Sequence, residues 1–307
     1  MAREARTARA RVERAEVTSL TDDGLGRGRY EAPVPEGDTL KNIATTLSPL
    51  VGRRVTALEF PRAHADGAAQ QGAIIGAVES KGKNLLVSFS TGAVLHVHLK
   101  MTGVVHLYAT GERWRRGRSG AVVVLRVPDF EAVVFKAPVV RLLSRAAARR
   151  DGALGSLGPD LLDLAFDEAE ALRRLRLEPA RPLGVAVMDQ TAVAGIGNVY
   201  KSEVLFNLAL DPFRPLAELS DEVLLAVLRH ARELLQKNTL RTALQATPVD
   251  AYRLTRTTRR ASRSPLSVYG RVNEACFDCG ATIGMRRQGE QRRSTYFCPR
   301  CQGVAPS

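Results

Sequence analysis

The sequence predicts an α+β protein of more than one domain, in which a β-sandwich or barrel precedes a helical region and a C-terminal metal-binding unit. Three observations support this: short β-rich runs follow one another between residues 53 and 143, helical patterns follow residue 160, and the four cysteines form two Cys-x2-Cys pairs near the end. A chain of 307 residues with 45% hydrophobic residues can bury a core for each part.

The net charge of the chain is +13, from 45 Lys and Arg against 32 Asp and Glu. Residues 251–307 hold 11 arginines against three acids, a local charge of +8. An excess of this size fits a polyanion, either nucleic acid or an acidic membrane surface. No run of 18 apolar residues could span a membrane, and residues 1–34 do not resemble a signal peptide. We therefore expect a cytoplasmic protein without a membrane partner.

The N-terminal segment of residues 1–33 lacks periodicity and is interpreted as a polar tail or a mis-assigned translation start. Order is predicted to begin near Pro35, at the mouth of a helix that Asp38 or Thr39 can cap. The apolar residues of this helix recur at helical spacing: Leu40, Ile43, Leu47 and Leu50.

The β-rich runs come next and cover residues 55–58, 74–78, 85–89, 94–99, 121–125 and 132–135. A Gly-, Pro- and Asp-rich stretch at residues 151–160 then indicates a boundary. Among the helical patterns that follow, a long amphipathic helix is predicted to be capped by Ser220 and to end at Asn238. Residues 246–268 are basic and rich in turn formers.

The cysteine pairs are separated by 18 residues, a spacing typical of a structural zinc site with four thiolate ligands: Cys276, Cys279, Cys298 and Cys301. Paired disulfides or free thiols are the alternative. A closed four-thiolate shell leaves no open position for catalysis, so the Zn²⁺ ion would hold a hairpin. That hairpin carries arginines suited to phosphate contact, or to a basic loop that binds protein: Arg286, Arg287, Arg292 and Arg293.

A glycine-rich turn, Gly195-Ile196-Gly197-Asn198, joins two helical stretches. A dinucleotide site is excluded because no strand precedes the turn and the third glycine is missing. The turn could instead offer helix N-terminal amides and Asn198 to a phosphate, with Tyr200 and Lys201 nearby. A plain helix–helix turn explains the pattern equally well. Lys83 lies in another turn, where lysines are usually only solvated.

Seven segments together resemble the formamidopyrimidine-DNA glycosylase / endonuclease VIII family of bifunctional DNA glycosylases and abasic-site lyases, in family order: residues 35–39, 81–86, 99–103, 157–160, 188–203, 268–271 and 296–302. The resemblance implies an N-terminal two-sheet β-sandwich with flanking helices, a helix-two-turn-helix domain and a C-terminal four-cysteine zinc finger. The expected boundaries are 35–145, 158–265 and 268–302, with residues 1–34 outside. It also implies a monomer that removes oxidised bases from damaged DNA in the bacterial nucleoid.

The resemblance assigns roles to individual residues. The N-terminal proline of the family matches Pro35, whose amine would form a Schiff base with C1′ of the sugar, and Glu36 would be the acid that protonates the ring oxygen. Lys83 would assist β-elimination, and Arg293 would hold phosphates and support δ-elimination. The implied DNA contacts are Met101, which fills the hole left by the extruded nucleotide, and the phosphate-binding group Asn198, Tyr200 and Lys201.

Two departures from the family pattern matter. Residues 35–39 have Thr39 where many relatives have Glu, and residues 133–138 replace the Asp-Pro-Arg-Arg-Phe wedge of the formamidopyrimidine branch. These favour the endonuclease VIII-like branch and oxidised pyrimidines as substrates.

A further and larger departure is the position of Pro35 inside the chain, where its tertiary amide nitrogen cannot form a Schiff base. We hypothesise that translation begins at residue 34, since Val34 is what a GTG start codon gives when read as internal, and that the initiator Met is removed. The alternatives are proteolysis after Val34 or a non-catalytic protein that binds lesions, DNA or RNA through its zinc ribbon.

Overall fold

The computed structural model describes residues 35–62, 66–239 and 266–305. Helices α1 to α7 cover Gly37–Thr46, Arg145–Arg150, Gly152–Gly155, Glu168–Leu175, Leu183–Ala186, Asn198–Asn207 and Asp221–Lys237. Strands β1 to β10 cover Ala57–Glu59, Ile75–Lys81, Asn84–Phe89, Ala93–His98, Val104–Ala109, Ala121–Arg126, Phe130–Phe135, Val139–Ser144, Gly284–Gln288 and Arg293–Phe297. The predicted N-terminal tail and the basic segment up to residue 265 lie outside the described residues. None of the helices in the described ranges has the length and apolar character needed to cross a membrane.

The first eight strands form two four-stranded antiparallel sheets, with strand orders β1-β6-β7-β5 and β2-β3-β4-β8. One apolar core contains residues of both sheets, such as Leu85 and Val97 from one and Val123 and Leu125 from the other. Burial of each such side chain is worth about 1.5–3 kcal/mol. The predicted β-rich segment is therefore a sandwich rather than a barrel.

All six predicted β-rich runs are strands, but the sequence analysis missed β5 and β8. Strand β5 interrupts its apolar pattern with His106 and Tyr108, which are buried and joined by a hydrogen bond of 2.7 Å. Strand β8 lies at a sheet edge and is only half-buried, although its sequence, VVRLLS, contains an apolar run.

The helix after Pro35 forms as predicted, with Leu40 and Ile43 in the sandwich core. Its cap is not Asp38 or Thr39, because α1 begins at Gly37 with Glu36 as the N-cap residue. Thr39 instead accepts a hydrogen bond of 3.3 Å from the backbone N–H of Glu36. The start of the helix therefore holds Glu36 in a fixed position.

The helical region has a second apolar core, in which α6 and α7 contact each other. Helix α7 has Ser220 and Asn238 as its caps, as predicted. Almost every residue of α6 is buried, since this helix also contacts the C-terminal hairpin of β9 and β10. Helix α6 thus connects the helical core to the predicted metal-binding unit.

Candidate active site

A cavity of about 650 Å³ is lined by residues of the sandwich, the helical region and the β9–β10 hairpin. Six residues predicted from the sequence share its wall: Pro35, Lys83, Met101, Asn198, Lys201 and Arg293. These residues are far apart in the sequence and carry three cationic groups. The cavity therefore combines the predicted nucleophile with groups that favour a bound anion.

Glu36 lies against the N-terminus of α6, with none of its surface exposed. Its carboxylate accepts hydrogen bonds from the backbone N–H groups of Gly197 and Val199, both at 2.8 Å, and of Tyr200 at 3.3 Å. A helix N-terminus stabilises an anion through its unpaired N–H groups and its dipole. The prediction that these amides serve a phosphate is therefore wrong, because the protein's own carboxylate occupies them.

The glycine at position 197 makes this close approach possible. A Cβ atom there would lie 2.4 Å from the Glu36 carboxyl carbon, which is far inside van der Waals contact. Gly37 continues the same junction, because its N–H donates to the carbonyl of Gly195 at 2.9 Å. The Gly-Ile-Gly turn thus anchors the chain immediately after Pro35.

Tyr200 is also fully buried, and its hydroxyl donates to the Asp38 carboxylate at 2.9 Å. The Tyr200 hydroxyl is thus directed at Asp38, and its predicted DNA contact stays a prediction. From the sequence, Asp38 was predicted only as a possible helix cap. The only signal in the sequence was that Asp38 lies next to position 39, where many family members have Glu. Its contact partner, Tyr200, lies 162 residues further along the chain.

Lys201 is only 1% exposed and joins α6 to β10. Its ammonium group donates to Asn198 Oδ1 at 2.7 Å, to the Ser294 carbonyl at 2.8 Å and to Thr295 Oγ1 at 2.8 Å. Burial is the main cause that lowers its pKa, to about 7, with Arg293 and Lys83 also lowering it and Glu36 raising it. The three donors are directed at protein acceptors, so the structure gives Lys201 a bridging position rather than the predicted phosphate contact.

The β2–β3 turn that carries Lys83 is attached to the helical region by Asp160. One carboxylate oxygen of Asp160 accepts from Gly82 N–H at 2.7 Å and the other from Leu162 N–H at 2.9 Å. Burial raises the pKa of Asp160, while these two hydrogen bonds act in the opposite direction. Gly82 has φ = 55°, a conformation that favours glycine. The residue before Lys83 is thus held from a position 78 residues away.

His98 also lines the cavity, and no role was predicted for it from the sequence. It pairs with Asn84 in the β3–β4 register, which places it beside Lys83, and this hairpin register was the signal that could have identified it. Burial and the neighbouring Lys100 and Lys83 lower the pKa of His98 to about 4. Its Nδ1 accepts from Lys100 N–H at 3.1 Å, so the neutral ring has its remaining hydrogen on Nε2.

Met101 belongs to the sandwich and Arg293 to the β9–β10 hairpin, and both residues line the cavity. Met101 follows β4 and exposes 52% of its surface. Arg293 begins β10, and its guanidinium contacts Gln291 Oε1 at 2.9 and 3.1 Å. Both side chains are therefore placed where a ligand in the cavity could contact them.

The four cysteines form one cluster, in which all Sγ atoms lie within 4.8 Å of one another. Cys276 and Cys301 are 3.8 Å apart and Cys279 and Cys298 are 3.4 Å apart, and all four thiols are free of disulfides. Tetrahedral zinc with Zn–S distances of about 2.3 Å requires S···S separations near these values. The donor set fits a structural zinc ion, and its residues flank the β9–β10 hairpin.

Comparisons with known proteins agree with this architecture. The family model described as "Formamidopyrimidine-DNA glycosylase N-terminal domain" matches residues 34–138, and that described as "Formamidopyrimidine-DNA glycosylase H2TH domain" matches residues 157–247. The chain is 37% identical over 278 residues to a probable endonuclease 8 2 of Streptomyces coelicolor, covering 89% of this chain and 96% of the relative. It is 33% identical to the DNA-(apurinic or apyrimidinic site) lyase Nei2 of Mycolicibacterium smegmatis, covering 88% and 99%.

A solved structure shows the same fold at lower identity. Lactococcus lactis formamido-pyrimidine DNA glycosylase, non-covalently bound to DNA with an abasic site, matches with a TM-score of 0.68 and 23% identity, covering 87% of this chain and 99% of the other. The family matches, the helix-two-turn-helix region and the four-cysteine cluster beside a cationic cavity lead to one conclusion: the chain belongs to the formamidopyrimidine-DNA glycosylase / endonuclease VIII family and is a DNA glycosylase and abasic-site lyase.

Proposed function

We propose that this enzyme removes oxidised pyrimidines from DNA and then cuts the abasic site by β/δ-elimination through a Schiff base on the nitrogen of Pro35. The observation that carries the proposal is the shared cavity, in which Pro35 lies with Lys83, Asn198 and Arg293. A single chain supplies all of these groups, which supports action as a monomer on damaged DNA.

The proposed reaction begins with the secondary amine of an N-terminal Pro35. Its lone pair attacks C1′ while the bond from C1′ to the damaged base breaks, and the base leaves with a proton. Loss of the N–H proton and protonation of the ring oxygen then open the sugar ring and give an iminium ion. The iminium acidifies the C2′ proton, whose removal expels the 3′ phosphate in β-elimination. Loss of a C4′ proton then expels the 5′ phosphate in δ-elimination. The pKa of a free α-amino group lies well below that of a lysine side chain, which provides unprotonated amine at neutral pH.

The active form must therefore begin at Pro35. A proline nitrogen acylated by Val34 has no hydrogen and no available lone pair. The match to the family's N-terminal domain begins at residue 34, which supports a functional start at this point. Either initiation at residue 34 with loss of Met or proteolysis after Val34 would expose the amine.

The charged groups around the amine have complementary proposed roles. Glu36 would exchange a proton with the sugar ring oxygen, because it directly follows Pro35 and its carboxylate is fixed by α6. Lys83 and Arg293 would neutralise the phosphates on the two sides of the sugar. Met101 would occupy the space of the extruded nucleotide, and Asn198 would contact the backbone. A structural Zn²⁺ held by the four thiolates would keep the β9–β10 hairpin, and thus Arg293, in place.

The preference for pyrimidines is supported by the turn between β7 and β8. Residues 133–138 stand where the formamidopyrimidine branch has its Asp-Pro-Arg-Arg-Phe wedge, and the turn itself, residues 136–138, contains no aromatic side chain. The relatives at 37% and 33% identity are named endonuclease 8 and Nei2. Without an aromatic wedge, a different side chain fills the space opposite the lesion. We therefore expect a different set of lesions to be extruded.

The substrate proposal is tested with protein that begins at Pro35 and duplexes that contain thymine glycol, 8-oxoguanine or a bare abasic site. We expect cleavage of the abasic duplex and at least about tenfold faster excision of thymine glycol than of 8-oxoguanine, measured under single turnover; a pocket difference worth about 1.4 kcal/mol gives this ratio. Faster excision of 8-oxoguanine would contradict the pyrimidine assignment.

Glu36→Gln is expected to slow base removal about 10²- to 10⁴-fold, since the amide cannot deliver a proton to the ring oxygen. Single-turnover excision rates measure this effect. Glu168→Gln is the matched control, because Glu168 pairs with Arg229 on the surface of the helical region at 2.7 Å. An unchanged rate in Glu36→Gln would remove this residue from the proposed chemistry.

A further inference from the structure

A basic loop between β5 and β6 lies outside the cavity and has no role in the proposed reaction. Residues 110–120 contain four arginines and a single acid, and all four arginines are exposed: Arg113, Arg115, Arg116 and Arg118. Trp114 anchors the loop by packing against Phe135 and by donating its indole N–H to Glu131. Tyr108 also holds the loop, because its hydroxyl accepts a hydrogen bond of 3.2 Å from the backbone N–H of Arg115. The loop is therefore fixed on the sandwich while its four arginines stay exposed.

This loop and the β7–β8 turn enclose a cleft of about 280 Å³. Its wall consists of cationic side chains and glycine-rich backbone: Arg62, Arg116, Gly117, Ser119, Gly120, Phe135 and Lys136. Because Phe135 is almost completely buried, the cleft offers no aromatic face on which a base could stack. The combination of cations and accessible backbone suits a phosphate group rather than a base.

Lys136 connects the cleft to the Met101 loop. Its carbonyl accepts a hydrogen bond of 3.0 Å from Thr102 Oγ1, the residue directly after Met101. Lys136 also has φ = 51°, a left-handed conformation that costs a lysine roughly 1–2 kcal/mol. Lys100 on the other side of Met101 has φ = 50°. Two strained lysines thus flank the exposed methionine, and backbone strain of this kind concentrates at functional sites.

The acidic residues near the cleft are engaged elsewhere. Glu131 accepts from Trp114 and pairs with Arg126 at 2.5 Å, and Glu112 accepts from the backbone N–H of Ala109 at 3.1 Å. Within the part of the chain that the structure describes, neither Arg116 nor Lys136 forms an ion pair with a carboxylate. Both side chains line the cleft, and no carboxylate among the described residues neutralises their charge by an ion pair.

We propose that this cleft binds backbone phosphates of the DNA that flanks the extruded nucleotide, with Arg116 and Lys136 as the contacting residues. The inference rests on the proposed function, in which Met101 enters the helix at the lesion. The ligand is a phosphodiester group of either the damaged or the complementary strand, since both pass Met101 once a duplex is bound. The contact would hold the DNA on the side of Met101 that faces away from the cavity.

The test compares full-length wild-type protein with an R116A/K136A variant for binding to a duplex that contains a tetrahydrofuran abasic analogue. Fluorescence anisotropy at several KCl concentrations gives both the affinity and its salt dependence. Each lost phosphate contact reduces the slope of log K against log [KCl] by about 0.9, so we expect a reduction of about 1.8 and about tenfold weaker binding at 0.1 M KCl.

Two further variants make the result specific. R149A/R150A removes two arginines of α2, which do not line this cleft, and should retain the wild-type slope. R116K/K136R keeps both charges and should also retain it, whereas lost binding in R116A/K136A through misfolding would appear as a lower melting temperature. A wild-type slope and affinity in R116A/K136A, or an equal loss in R149A/R150A, would overturn the proposal.

The same measurement with single-stranded DNA assigns the strand. An equal loss on single-stranded and duplex DNA places the phosphate on the damaged strand, and a loss confined to the duplex places it on the complementary strand. Both results support the cleft. Failure of the Pro35 chemistry would appear as absent strand cleavage by protein that begins at Pro35, while the salt slopes report only on the cleft.

Discussion

Protein that begins at Pro35 is expected to form a borohydride-stable cross-link with DNA containing an abasic site, whereas the chain with residues 1–34 attached is expected to form none. The reason is electronic: the amine of an N-terminal proline has a lone pair for C1′, and an acylated nitrogen does not. The position of Pro35 does not compensate for the missing lone pair, because Pro35 already lines the cavity in the chain that includes residues 1–34. The effect is therefore the complete loss of the covalent intermediate.

Denaturing gels measure the cross-link, and mass spectrometry of the reduced adduct identifies its site. Pro35→Gly keeps an N-terminal amine and should still form the cross-link, whereas chemical acetylation of the N-terminus should abolish it. Intact mass of protein purified from its own host shows which start is used. A cross-link mapped to Lys201, the buried amine in the same cavity, would contradict the assignment of Pro35.

Removal of the metal is expected to have the second large effect. Structural zinc sites of this type contribute about 10–16 kcal/mol of binding free energy at neutral pH, which small hairpins cannot replace. Cys298→Ser would break the set of four thiolates, and the β9–β10 hairpin would lose its fixed position. Arg293 and the acceptors of Lys201 on Ser294 and Thr295 lie on this hairpin, so we expect at least about 100-fold weaker binding of abasic DNA.

Elemental analysis and DNA titration together check this expectation. Wild-type protein should contain one zinc ion per chain, lose DNA affinity on treatment with a chelator and regain it when zinc is added back. Cys298→Ser should not regain affinity with added zinc. Wild-type protein that binds abasic DNA equally well with and without metal would contradict a structural role for the cluster.

Much of the fold follows from short-range patterns. The six β-rich runs, the helix after Pro35 and the long helix from Ser220 to Asn238 were predicted because their apolar residues repeat at the period of the element. The cysteine cluster was predicted because two Cys-x2-Cys pairs specify their ligands locally. Strand β5 was missed because His106 interrupts its apolar run, whereas β8 was missed although its sequence, VVRLLS, contains such a run.

The sequence by itself determined the order of the elements, the cysteine cluster and the family, since each depends on residue types at fixed local spacing. Only the tertiary structure decided how the site residues are used. The Glu36 carboxylate accepts hydrogen bonds from backbone N–H groups at the start of α6, which lie 161 to 164 residues away. The Lys201 ammonium group donates to residues of β10 that lie more than 90 residues away. A helix N-terminus and a buried ammonium group must be satisfied by some partner, but spacing along the chain does not specify which one. Packing of distant segments made that choice.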